Sequence, residues 1–168
     1  GVPNDLVFTW DGAAWTRVTL PGAPRGLALF KVWGTSMDDL HVSGEQGILW
    51  HRNATGWTAE SDAHEPPLAL GTLFTVFGCG PDDIYAVGGP SLLRRSAGTW
   101  AAVPVTSTLR NLNGVTCGGG VVTVVGFGGV KIRLRGDGAI LQNASEEEPY
   151  LDMHAAWTSP DGGGGRAW

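Results

Sequence analysis

The sequence predicts an all-β chain made of about four diverged copies of one four-stranded antiparallel unit. Three observations carry that expectation. The 27 glycines and 10 prolines are spread between short apolar runs, which is the punctuation of a protein with many tight turns. One motif recurs roughly every 41 residues in three separate registers. No stretch shows the 3.6-residue apolar period of an amphipathic helix. At 168 residues, 42% of them hydrophobic, the chain can bury a sizeable core, so low complexity does not explain the glycine content.

The first register is Leu29-Phe30-Lys31-Val32-Trp33-Gly34. It returns as Leu73-Phe74-Thr75-Val76-Phe77-Gly78, then at Leu112–Cys117 and at His154–Thr158, with spacings of 44, 39 and 41. This run predicts strand a of each unit. The second register predicts strand b, with Asp38-Asp39-Leu40-His41-Val42-Ser43-Gly44 matching Asp82–Gly88 and Gly120–Gly126. The third is an apolar run, a turn, then an anchor. Its anchors Trp15, Trp57, Trp100 and Ile140 lie 42, 43 and 40 apart, and it predicts strands c and d. Residues 1–27 therefore supply strands c and d of one unit. Residues 28–71, 72–110 and 111–150 are whole units, and 151–168 supply strands a and b. The connections carry Gly, Asp, Asn, Pro and Ser, which provide positive φ or side-chain turn bonds. The recurrent Asp38-Asp39 and Asp82-Asp83 are read as caps of the a–b turn.

Four strands in ~40–45 residues is the size of a propeller blade, so the predicted architecture is a β-propeller segment of about four blade-equivalents. Leucine-rich repeats are shorter. Blades pack face on face, so Trp15, Trp57 and Trp100 at one repeat position, and Trp33, Phe77 and Trp157 at another, are expected in the core. Cys79 and Cys117 fall at nearly equivalent ends of strand a in neighbouring units. Those ends are expected side by side, which allows a disulfide in an oxidising compartment; the alternative is two thiols. The two half-units at the chain ends complement each other. Either the chain is part of a larger ring, or the two ends share a composite blade that closes a ring, of four blades in one chain or of eight by self-association in a head-to-tail dimer.

The motifs Val32-Trp33-Gly34 with Asp38-Asp39-Leu40, and Trp10-Asp11-Gly12-Ala13-Ala14-Trp15, resemble repeats of secreted bacterial propellers. Many of these are δ-proteobacterial lipoproteins, related to Asp-box and photosystem II assembly-factor-like propellers. The resemblance spans nearly the whole chain and implies an extracytoplasmic, bacterial protein. In an Asp-box the Asp caps the c–d turn and the Trp enters the core; the Ser of that motif is missing here. Such propellers include hydrolases, lectins and scaffolds alike, so the likeness speaks to fold.

Charge narrows the function classes. The formal net charge is −5, and the densest basic stretch, Lys131, Arg133 and Arg135, merely alternates along one strand. That argues against a nucleic-acid surface and against adhesion to anionic membranes. No apolar run approaches the ~20 residues of a membrane span. The acids Glu45, Asp62, Glu65 and Glu146–Glu148 and the arginines Arg94, Arg95, Arg110 and Arg133 show no catalytic grouping by repeat position. His41, His51, His64 and His154 lack ligand spacing. His41 and His51 fall on strands b and c of one unit, where they could meet; they are read as ordinary strand residues rather than as a two-histidine metal site. The expectation is a non-enzymatic module with no cofactor and no metal, binding a protein or glycan or serving as a scaffold. Its contact face is expected on the b–c loops, at Glu45, Gln46, Pro90, Ser91 and Phe127, joined by Asp62, His64 and Glu65. The competing readings are part of a sialidase-like hydrolase or lyase, and a purely structural segment of a larger assembly.

Overall fold

The computed structural model describes residues 7–21, 26–60, 71–105, 111–137, 139–144, 152–159 and 166–167. These form an all-β chain of antiparallel sheets, each an up-and-down meander. The first is a hairpin of β1 (Val7–Trp10) and β2 (Trp15–Val18). The next joins β3 (Leu29–Ser36), β4 (Asp39–Gly44), β5 (Leu49–Asn53) and β6 (Gly56–Ala59) in sequence order. A second four-stranded sheet follows, of β7 (Thr75–Gly80), β8 (Asp83–Gly88), β9 (Ser91–Ser96) and β10 (Thr99–Ala102). The third has β11 (Leu112–Gly118), β12 (Val121–Gly126), β13 (Lys131–Arg135) and β14 (Ile140–Ala144). A short pair, β15 (Ala156–Trp157) and β16 (Arg166–Ala167), completes the described strands. Among the described residues no helix is long and apolar enough to cross a membrane.

The turns follow from their residues. In the β1–β2 turn Asp11 Oδ1 accepts the N–H groups of Ala13 and Ala14, both at 2.8 Å. Those bonds, from Ala14 first and then Ala13, hold the Asp11 carboxyl below its usual pKa. Asn53 and Asp137 repeat the device, accepting from Thr55 and Ala139 at 2.9 Å. Gly119 and Gly120, with φ of 57° and 74°, make the two-residue β11–β12 turn that a bulkier pair would resist.

Successive sheets stack face on face and enclose three apolar layers. Val42, Ile48 and Trp50 pack with Val7, Val18 and Trp57 between the first hairpin and β3–β6. Leu49 and Trp33 meet Val76, Ile84, Ala86, Leu93 and Trp100 between the next two sheets. Tyr85, Val87 and Leu92 meet Val115, Val122, Val124 and Ile132 in the third layer. Strand β8 feeds two layers at once, because its alternate residues point to opposite faces and both are covered. The leading strands lie side by side, β3 against β7, β7 against β11 and β11 against β15. Cys79 of β7 and Cys117 of β11 are joined by a disulfide, with Cα atoms 5.4 Å apart.

The repeated glycine that ends the second strand of each four-stranded sheet has a steric cause. A Cβ at Gly44, Gly88 or Gly126 would overlap the backbone carbonyl of Ala28, Thr72 or Asn111, just ahead of that sheet's leading strand. The chain then turns at Glu45–Gly47 or Phe127–Gly129, and the turn's first N–H bonds the same carbonyl, at 2.9 Å for Glu45 and 2.8 Å for Phe127. Backbone bonds also tie each such corner to the next unit: Leu73 N–H to Gly44 O, Leu112 N–H to Gly89 O and Met153 N–H to Gly126 O, at 2.8–3.2 Å.

Two of the expected core aromatics are exposed. Trp15 is 68% and Trp157 56% accessible: Trp15 shares the hairpin face of exposed Phe8 and Trp10, opposite the Val7–Val18 face that packs on β3–β6, and among the described residues no neighbouring sheet covers either indole. Trp15 packs against exposed Trp10 instead, with ring centroids 5.4 Å apart and planes tilted by 41°. Trp100 is buried, and Trp33, Phe77 and Trp57 are half-buried against the three layers. The indole that enters the first layer fully is Trp50, on the third strand of its unit.

Candidate functional site

The corners between second and third strands share one end of the molecule, since each is bonded to the start of the following leading strand. Gln46 and Pro90 are exposed there. Gln46 holds a left-handed φ of 56°, which fixes its side chain at the tip of the turn. Glu45 points inward, and its Oε2 accepts the Ala28 N–H at 2.8 Å. Phe127 is half-buried, edge-on to His154 with centroids 5.4 Å apart. Ser91 is buried and presents no contact surface, because it opens β9 with its side chain covered. Asp62, His64 and Glu65, and the Glu146–Glu148 run, lie outside the described residues.

The densest chemistry lies elsewhere, at the margin of the layer between β3–β6 and β7–β10. His41 and His51 are register partners on β4 and β5. Antiparallel partners project to the same face, so their rings stack, 4.3 Å apart and 2° from parallel. Asp39 is two residues before His41 on β4 and therefore shares that face. Its Oδ1 lies 3.1 Å from His51 Nε2 and 3.4 Å from His41 Nε2, and its other oxygen accepts from the Thr35 hydroxyl. At the opposite edge of the two rings Glu60 stands 3.3 Å from His51 Nδ1 and 4.0 Å from His41 Nδ1.

Glu60 is itself held from the next sheet. Arg95 Nη2 donates to its Oε1 at 2.9 Å, and the Trp100 indole N–H donates to its Oε2 at 2.6 Å. Arg95 Nη2 also comes within 3.4 Å of His51 Nδ1. The Trp33 ring lies over His41 with centroids 6.2 Å apart.

His41 is only 1% exposed, and neither of its ring nitrogens completes a hydrogen bond among the described residues. Burial first, then the charge of His51, pushes its pKa down to about 4, against the pull of Glu60. At neutral pH the ring is neutral and carries a lone pair. Partial burial alone would raise the Asp39 carboxyl. The bonds from Thr35 and His51, with the nearby histidine charges, outweigh it and hold that carboxyl below its usual value. Asp39, His41 and His51 offer three ligand atoms within 4.8 Å of one another.

The next sheet carries an informative counterpart. Tyr85 takes the place of His41, Asp83 that of Asp39, and Arg94, the register partner of Tyr85, that of His51. There Arg94 Nε donates to Asp83 at 2.8 Å, its guanidinium lies 5.8 Å from the Tyr85 ring centroid, and it reaches the Gly136 carbonyl. Asp39 and Asp83, the second residue of each recurrent Asp-Asp pair, thus both engage a third-strand side chain, and Asp39 also holds Thr35 before the turn.

Sequence spacing did not group the histidine cluster, because Glu60, Arg95 and Trp100 come from outside the β4–β5 pair, the last two from a different sheet. The legible part was Asp-x-His on a second strand with a histidine opposite. Compared with known protein families, curated proteins and solved structures, the chain matches none.

Proposed function

We propose that the chain is a β-propeller segment whose sheets are blades, and that it works as a non-catalytic, extracytoplasmic binding module for a protein or glycan. The observation that supports this is the row of corners at one end. Backbone geometry repeats from Glu45–Gly47 to Phe127–Gly129, while the side chains displayed differ, from Gln46 to Pro90 to Phe127. A rigid repeated scaffold with varied loop residues is a common arrangement for recognition sites. The Cys79–Cys117 disulfide fits an oxidising compartment. The resemblance to secreted bacterial propellers points the same way.

The test pairs a glycan array with immobilised extracellular protein fractions, probed with the full chain. Binding that weakens at least tenfold in Gln46→Arg and Phe127→Ala, with melting temperature unchanged, supports the assignment. No binding on either surface, or binding indifferent to both substitutions, refutes it.

A further inference from the structure

We propose that Asp39 Oδ1, His41 Nε2 and His51 Nε2 bind one divalent transition-metal ion, zinc by preference, with a fourth position for water. Zinc takes imidazole nitrogen and carboxylate oxygen at ~2.0–2.2 Å in tetrahedral geometry, so its donor atoms sit about 3.4 Å apart. Two of the three separations here already have that size, 3.1 and 3.4 Å from Asp39 Oδ1 to the two Nε2 atoms. All three ligand atoms lie within 4.8 Å of one another, and binding requires the parallel rings to tilt so that both Nε2 lone pairs aim at one ion.

Three further observations point to a cation. His41 is buried with both nitrogens unpartnered, a cost that a metal at Nε2 and a settled Nδ1–H would remove. Glu60 faces the Nδ1 edge of both rings, as the carboxylate behind a metal-bound histidine does when it fixes the tautomer. Arg95 and Trp100 hold Glu60 in that position. Finally, in the neighbouring sheet the equivalent Asp83 is met by the Arg94 cation. Two imidazoles replace the Tyr85–Arg94 pair beside Asp39, so no fixed positive charge stands at this repeat position; the nearby Arg95 guanidinium is paired with Glu60 at the opposite edge of the rings, which leaves the Asp39 side open to a cation. Asp39, with its side chain 21% exposed, is the side of entry.

The experiment uses the tag-free, chelator-treated full chain, zinc titration calorimetry and thermal melts. One zinc per chain is expected, with the melting temperature raised by about 5–10 °C at free zinc ~100 times Kd. Asp39→Asn, partly exposed and able to keep the Thr35 contact, should weaken zinc binding at least tenfold, as should His51→Gln. Glu60→Gln should weaken it 10–100-fold through the ring tautomers. A folded, metal-free chain whose melting ignores zinc overturns the proposal. So does one-to-one binding that survives both Asp39→Asn and His51→Gln, because the ion then sits elsewhere.

Discussion

At Gly78 the leading strand of one sheet receives the indole of Trp33 from the sheet before it, and a Cβ there would overlap the ring. Two residues on, Gly80 has open space where its Cβ would be. The two positions share a strand and differ only in what lies above them. Gly78→Ala should therefore cost ~1–3 kcal/mol by forcing Trp33 aside, whereas Gly80→Ala should change stability by less than ~0.5 kcal/mol. Urea unfolding of the two variants checks this. Equal losses would mean that sheet spacing at Trp33 is looser than the contact implies. The repeat marked Gly34 and Gly78 as equivalent, but only the packing distinguishes a glycine required by its own sheet from one required by its neighbour.

A strand contributes to stability according to how many of its faces are covered. Trp100 on β10 is 3% exposed and gives its indole N–H to Glu60, so it joins two sheets through both packing and a hydrogen bond. Trp15 on β2 has the same repeat position and is 68% exposed. Trp100→Ala should cost ~3–5 kcal/mol, and Trp15→Ala should lie within ~0.5 kcal/mol of the parent in a thermal or urea melt. A large loss at Trp15 would show that a further surface covers β2 in solution. The histidine cluster belongs to this scale as well. Its members meet because β4 and β5 set His41 opposite His51 and the β9–β10 hairpin brings Arg95 and Trp100 over Glu60.

Over the whole molecule, the leading strands lie in a row from sheet to sheet, and the disulfide crosses that row between β7 and β11. It spans 38 residues of sequence, so by loop-closure entropy it contributes about 4 kcal/mol. The double variant Cys79→Ser with Cys117→Ser should lose about that much in urea unfolding, and reductant should shift the parent curve and leave the variant's unchanged. A variant as stable as the parent would mean that layer packing alone fixes the two sheets. Because the bridge and the packed layer beside it join these two neighbouring sheets, the loss should be shared by the sheets on either side of the bridge.

Strand order, turn positions and the pairing of equivalent residues were set out along the chain itself. They depend on short-range rules: alternation, turn chemistry, and a glycine wherever a strand end crowds the carbonyl before its own sheet. For the same reason Cys79 and Cys117 were legible as neighbours, since equal places in adjacent units lie side by side. Burial of Trp100 against exposure of Trp15, and of Trp33 and Phe77 against Trp157, was not legible, because identical positions differ only in whether another sheet lies over them. The meeting of His41 and His51 was legible as a pairing of strands within one unit. The hold of Arg95 and Trp100 on Glu60 was not, because it arises where two sheets meet, and a repeat pattern describes what one unit has in common with the next, not what passes between them.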